Sequence, residues 1–313
     1  MPVKSRAREV TQPAGHQAPD EGEGPATPRA TPRVEPFLLA SLAAVAGLLA
    51  TYLFFVRTTT GQYIDESALV EATQLYGAAT RASLRFLDYL PALSVVLGAL
   101  ALGYAVLVRR RWVASLIALA GAGTANIATQ MLKNDVFTRP FRGIETFAEN
   151  SLPSGHTTLA ASAAAAAFLV ASPRWRPLVA CAGGTYAVGT GVATLVNQWH
   201  RPADVVAAYL VVAVFMAPAA WLVLRTGTRW NAWGGFGSHP GSSRLWIFLP
   251  TLVGLGAAAL AVVELMRIAP MAGQEESTTN YFWAGSALIV IIGYLIVTSA
   301  SWLVGYESRR IPH

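Results

Sequence analysis

The chain has 313 residues and a formal net charge of +6, and it is 54% hydrophobic but only 13% charged. Soluble domains carry about 25% charged residues, and here the apolar residues gather in runs of about 20, the length that crosses a hydrocarbon core. A soluble globular protein is therefore excluded, and the expected fold class is an all-α integral membrane bundle. The basic residues lie at the ends of the apolar runs rather than in one patch, so the bilayer, and not nucleic acid, is the expected partner. One cysteine, Cys181, rules out an intramolecular disulfide.

In chain order, residues 1–36 are rich in Pro, Gly, Ala, Glu and Arg without apolar periodicity, which reads as a disordered tail. Eight spans follow, at about 37–56, 87–108, 112–132, 156–172, 177–197, 204–224, 245–266 and 281–304. Between the first two, residues 57–86 mix Leu69, Val70, Leu75 and Tyr76 with charges and suit an amphipathic helix on the membrane surface. Spans one to six make a core over 37–225, residues 226–243 a linker, and 244–313 two further spans with a short tail. Trp246, Trp283 and Trp302 read as interfacial anchors, and Gly254 and Gly256 as close-packing positions. Most of the 23 lysines and arginines fall inside if the N-terminus is cytoplasmic. The connections after spans three and five, and the start of spans four and six, then face outward.

Those connections hold the residues suited to chemistry. Lys133 ends span three, and Arg139-Pro140 and Arg142 follow in the loop. Pro153-Ser154-Gly155-His156 opens span four, and His200-Arg201-Pro202-Ala203-Asp204 opens span six. The stretch between His156 and His200 is long enough to cross the membrane and return, so both rings reach one face. Ser154 suits a helix N-cap, Gly155 lets backbone approach a ligand, and a helix N-terminus favours an anion. A carboxylate four residues after a histidine can bind one ring nitrogen and leave the other free to attack. Lysine and arginine beside two histidines fit phosphate oxygens. No cluster has metal-ligand spacing, so neither metal nor other cofactor is expected, and no nucleotide-binding glycine loop is present.

Together the ordered motifs Lys133…Arg139-Pro140, Pro153-Ser154-Gly155-His156 and His200-x3-Asp204 resemble the type 2 phosphatidic acid phosphatase superfamily, the lipid phosphate phosphatases. The resemblance spans about residues 85–225 and implies a six-helix membrane phosphatase core. It implies a metal-independent hydrolase with His200 as nucleophile, Asp204 orienting it and His156 as acid and base. Lys133, Arg139, Ser154 and Gly155 would bind the phosphate. Two departures stand out. Five residues rather than six separate Lys133 from Arg139. Ala193 and Thr194 occupy the places of the family's Ser-Arg, so one phosphate-binding arginine is missing and Arg201 or Arg142 is the candidate substitute. The implied substrate is a lipid phosphate at the outer face of the cell membrane: a polyprenyl diphosphate such as undecaprenyl diphosphate, phosphatidic acid or phosphatidylglycerol phosphate. High Ala, Arg and Gly content fits a bacterial source. The competing readings are a non-catalytic lipid-phosphate-binding protein with a degraded site, and a lipid phosphotransferase. Oligomeric state is not legible.

Overall fold

A computed structural model describes residues 31–76, 80–144, 150–268 and 279–311, without the side chains of 76–88. The tail expected over 1–36 lies outside these residues as far as position 30. Helix makes up 83% of the structure, and no strand occurs among the described residues.

The helices are α1 (Glu35–Thr51), α2 (Thr59–Tyr76), α3 (Thr80–Leu107), α4 (Trp112–Met131), α5 (Gly155–Val170), α6 (Arg176–Val196), α7 (Pro202–Thr226), α8 (Thr228–Asn231), α9 (Leu245–Ile268) and α10 (Asn280–Arg309). Single π-helical turns extend α1 over Tyr52–Val56 and α4 over Leu132–Val136. Among the described residues, seven helices with their extensions are long and apolar enough to cross a membrane. The protein is thus a multi-pass membrane bundle.

The fourth expected span, α5, is the one missing from these seven, and it has 16 residues. At 1.5 Å per residue it covers about 24 Å, short of the ~30 Å core. Its ends explain this: Ser154 caps the start, and Ser172-Pro173 begins a new turn after Val170. α5 also packs against α3, α4, α6 and α7, so protein rather than lipid surrounds most of it. At its C-terminus, Arg111 donates to Val170 O and Arg176 to Leu169 O, satisfying carbonyls that the helix leaves unpaired. Both guanidiniums lie over the Trp230 ring, at 3.8 and 5.3 Å from its centre.

α10 lies outside the six-span core but packs on α6, α7 and α2, whereas α9 is held chiefly by α10. Small residues permit the α6–α10 approach. A Cβ on Gly293 would sit 2.5 Å from Val188 Cγ2, and one on Gly184 would sit 2.5 Å from Val297 Cγ2. On α9, Gly254 faces Tyr294, while nothing lies within 4 Å of the Cβ position of Gly256. The 226–243 linker is folded against α10: Trp233 is buried, and its N–H donates to Ser308 O.

α2 falls within the segment expected to hold an amphipathic surface helix. Gln62, Asp65, Glu66 and Glu71 are buried, while Tyr63, Val70 and Leu75 are exposed. The acidic face points into the protein because its partners are there. Asp65 Oδ1 accepts from Ala203 N at the start of α7, and Glu71 Oε2 accepts from Phe282 N at the start of α10. Neither helix has a local side-chain cap on these N–H groups, so α2 supplies the acceptors that helix N-termini require.

Candidate active site

Four helix ends meet beside α2. Lys133 lies in the π turn that closes α4, and His156 in the first turn of α5. His200 lies in the turn between α6 and α7, and Asp204 in the first turn of α7. Local rules explain each placement. The Leu152–Pro153 peptide is cis, and Ser154 follows in an extended conformation. Its Oγ accepts from Thr157 N at 3.3 Å, which starts α5. Gln198 adopts φ 60°, turning the chain after α6 so that Trp199 N and His200 N both donate to Thr194 O. Pro202 fits the first turn of α7, where its missing N–H costs nothing.

Asp204 is the hub. Its Oδ2 accepts from Ser151 Oγ at 2.6 Å and from Arg201 N at 3.0 Å, and stands 3.3 Å from His200 Nδ1. Its backbone oxygen accepts from Ser154 N, which ties the second motif to the third. With Nδ1 facing Asp204, Nε2 is the His200 nitrogen turned away from the carboxylate. The His200 and His156 ring centres are 6.1 Å apart, and Trp199 lies 5.0 Å from His156. A cavity of about 430 Å³ opens here, lined by Lys133, Ser151, His156, His200 and Arg201 among others.

The remaining expected residues take other places. Ser154 is fully buried, and its hydroxyl is used in the cap and in a bond to Thr157 Oγ1. It is Ser151 that presents a hydroxyl to the cavity. Gly155 is partly exposed at the start of α5, and its Cβ position is 3.4 Å from Gln130 Nε2. Arg139 is behind the wall rather than on it, and its Nη2 lies 3.4 Å from Glu66 Oε2. Arg142 is exposed in the loop and is not on the wall. Thr194 bonds back to Gly191 O within α6. Of the two candidate substitutes for the absent arginine, Arg201 is the one at the cavity. Its Nε pairs with Glu66 and its Nη1 donates to Ser151 Oγ at 2.8 Å. Burial works against the Arg201 charge, but Asp204 and Glu66 outweigh it and hold the pKa above its ordinary value.

Sequence reasoning passed over Ser151, Asn150 and the α2 acids. Asn150 Nδ2 donates to the carbonyls of Lys133, Phe137 and Leu152, fixing the loop between the first two motifs. Tyr52 stacks on Phe137 at 4.2 Å and ties that loop to α1. One signal for α2 was present. An outward surface carrying Lys133, Arg139, Arg142 and Arg201 needs counter-ions, and Asp65, Glu66 and Glu71 were available in the adjoining segment.

Converging helix ends, a carboxylate-backed histidine, a second histidine and cations around one cavity define a membrane protein equipped to handle phosphate. Residues 112–229 match the family model of the PAP2 superfamily, and this match supports the resemblance to the type 2 phosphatidic acid phosphatases. The matched segment runs from α4 into α8 and contains all three motifs. Members of that superfamily are phosphatases, and the match supports a phosphoric ester hydrolase. No curated protein and no solved structure matches the chain.

Proposed function

We propose that the protein hydrolyses a phosphate monoester or diphosphate carried by a membrane lipid, through a phosphohistidine on His200. The observation that carries this reading is the His200–Asp204 pair facing His156 across a cavity that also holds Lys133 and Arg201. Asp204 keeps the proton on Nδ1, so the lone pair is on Nε2. Nε2 attacks phosphorus, the N–P bond forms and the P–O bond to the lipid breaks. His156 gives its proton to the leaving oxygen. Water then enters, His156 takes a proton from it, and the hydroxide oxygen attacks phosphorus as the P–N bond breaks, releasing inorganic phosphate. The Asp204 carboxylate stabilises the positive charge that His200 acquires in the first step and loses in the second. Lys133, Arg201 and the Ser151 hydroxyl surround the phosphoryl oxygens, and Arg139 acts from behind. Phosphoryl transfer depends mostly on such positioning and charge, and no metal is assigned a step.

The basic-residue balance supports a site on the outer face of the cell membrane, where lipid headgroups lie. A polyprenyl diphosphate, phosphatidic acid and phosphatidylglycerol phosphate are the substrates to test, with a bacterial carrier lipid such as undecaprenyl diphosphate first. The deciding experiment assays purified full-length protein for phosphate release from this panel, with and without chelator, and traps phosphate from a labelled lipid phosphate by an alkaline denaturing quench, which preserves a P–N bond. Release unaffected by chelator, with label on wild type and none on His200→Ala, is expected. No release from any lipid phosphate, or equal labelling of the His200→Ala variant, would overturn the reading.

A further inference from the structure

The arginine nearest the histidines and the arginine of the first motif share one carboxylate from outside all three motifs. Glu66 Oε2 accepts from Arg201 Nε and from Arg139 Nη2. Glu66 is 2% exposed, and its Oε1 has no hydrogen-bond partner among the described residues. A buried carboxylate is costly unless paired with charge, and this one is paired with two cations at the mouth of a phosphate-sized chemistry. From Arg201 the contacts continue through Ser151 Oγ and Asp204 Oδ2 to His200 Nδ1. Glu66 is thus one end of a continuous polar chain whose other end is the histidine.

The helix that carries it is anchored on both sides. Gln62, one turn earlier on α2, donates to Val56 O at 2.7 Å and to Pro140 O at 2.8 Å, beside Arg139. Asp65 accepts from Ala203 N, beside Arg201. Glu66 is therefore held between the two arginines by bonds that do not involve it. The local charges are three cations (Lys133, Arg139, Arg201) against the carboxylates Glu66 and Asp204. An incoming phosphate brings roughly −1.5 to −2 at neutral pH and is drawn to the same guanidiniums.

We propose that Glu66 is the resident counter-ion of this phosphate site: a positioning residue that holds Arg139 and Arg201 and, by its charge, lowers the site's affinity for phosphate so that product leaves. The inference rests on the phosphate reading of the cavity. Removing the charge while keeping the shape raises the local potential and tightens phosphate, and an effect of about tenfold is expected for one unit charge at partly buried range.

The test measures binding of inorganic phosphate to full-length protein in detergent by calorimetry, with melting temperature alongside, for wild type, Glu66→Gln and Glu66→Asp. Glu66→Gln should bind phosphate about tenfold tighter, with kcat and KM for a lipid phosphate falling together as product release slows. Glu66→Asp, which restores the charge, should return phosphate affinity towards wild type. A purely structural Glu66 would lower the melting temperature and weaken binding instead. Unchanged or weaker binding in a Glu66→Gln protein that melts like wild type overturns the proposal. Should Glu66→Gln not fold, Glu66→Gln with Arg139→Gln removes the ion pair as a unit. Phosphate affinity within threefold of wild type then supports the proposal, and a loss beyond tenfold overturns it. Wild type that binds no phosphate refutes both this inference and the site reading. The predicted binding pattern without any lipid phosphate turnover leaves Glu66 as counter-ion and removes only the hydrolase reading.

Discussion

Replacing Asp204 with Asn separates the electrostatic role of that carboxylate from its packing role. Asn is nearly isosteric, and its side-chain oxygen can still accept from Arg201 N, which lies 3.0 Å from Oδ2. The backbone bond from Ser154 N to Asp204 O is unaffected, so the helix junction should survive with a melting point within a few degrees of wild type. The charge facing His200 does not survive. At the 3.3 Å separation of His200 Nδ1 and Asp204 Oδ2, an effective dielectric of about 20 gives an attraction of ~5 kcal/mol between imidazolium and carboxylate. That attraction exists only once His200 becomes cationic, in the transition state and the phosphohistidine, so its loss falls on kcat. Each ~1.4 kcal/mol is a factor of ten, and part of the loss will be recovered by Ser151 and solvent. A fall in kcat of about 10³-fold is the expected result, with KM changed little. Phosphate release from a lipid phosphate in mixed micelles measures it, with the melting curve of the same preparation as control. A variant that melts normally and keeps kcat within tenfold of wild type would show that Asp204 does not stabilise charge on His200.

Three further substitutions probe the frame around the site. Asp65 has its carboxyl pushed up to about 8, by burial first and by the Asp204 charge second. The folded protein then keeps a proton that the unfolded chain, near 3.9, has released, so stability is full at low pH and is lost as pH rises towards 8. The melting temperature should fall between pH 5 and 8, corresponding to at most about 1.4 kcal/mol per pH unit, and Asp65→Asn should flatten the slope; an identical slope in the variant rejects the assignment. Gly293→Leu forces a side chain into the 2.5 Å approach to Val188 and should cost about 1–3 kcal/mol by overpacking, whereas Gly256→Leu, whose Cβ position meets nothing within 4 Å, should melt like wild type. Equal losses in the two variants would mean that α9 packs as tightly as α10.

The helices and the three motifs were legible because their signals are local. Apolar runs of bilayer length, a Ser-Gly pair before an alanine-rich stretch and Pro202 after Arg201 each state a helix or its start without reference to distant residues. What local rules could not decide was which atom a residue uses once partners arrive. Ser154 suited both a cap and a phosphate ligand, but one hydroxyl in a fully buried cap cannot do both, and Ser151 takes the cavity. The sequence did not show where the α2 acids point, because the cations that Glu66 meets are remote in the chain. Arg139 lies 73 residues away and Arg201 135. The same long-range pairing explains how the site accommodates Thr194. A threonine there folds back onto Gly191 O and contributes no cation, so the cationic wall beside His200 comes from Arg201, on the far side of the turn. An arginine buried at that junction requires an anion, and the described residues supply it from Glu66. The departure at position 194 and the inward-facing carboxylates of α2 are therefore two parts of one arrangement, and a change to either should be felt by the other.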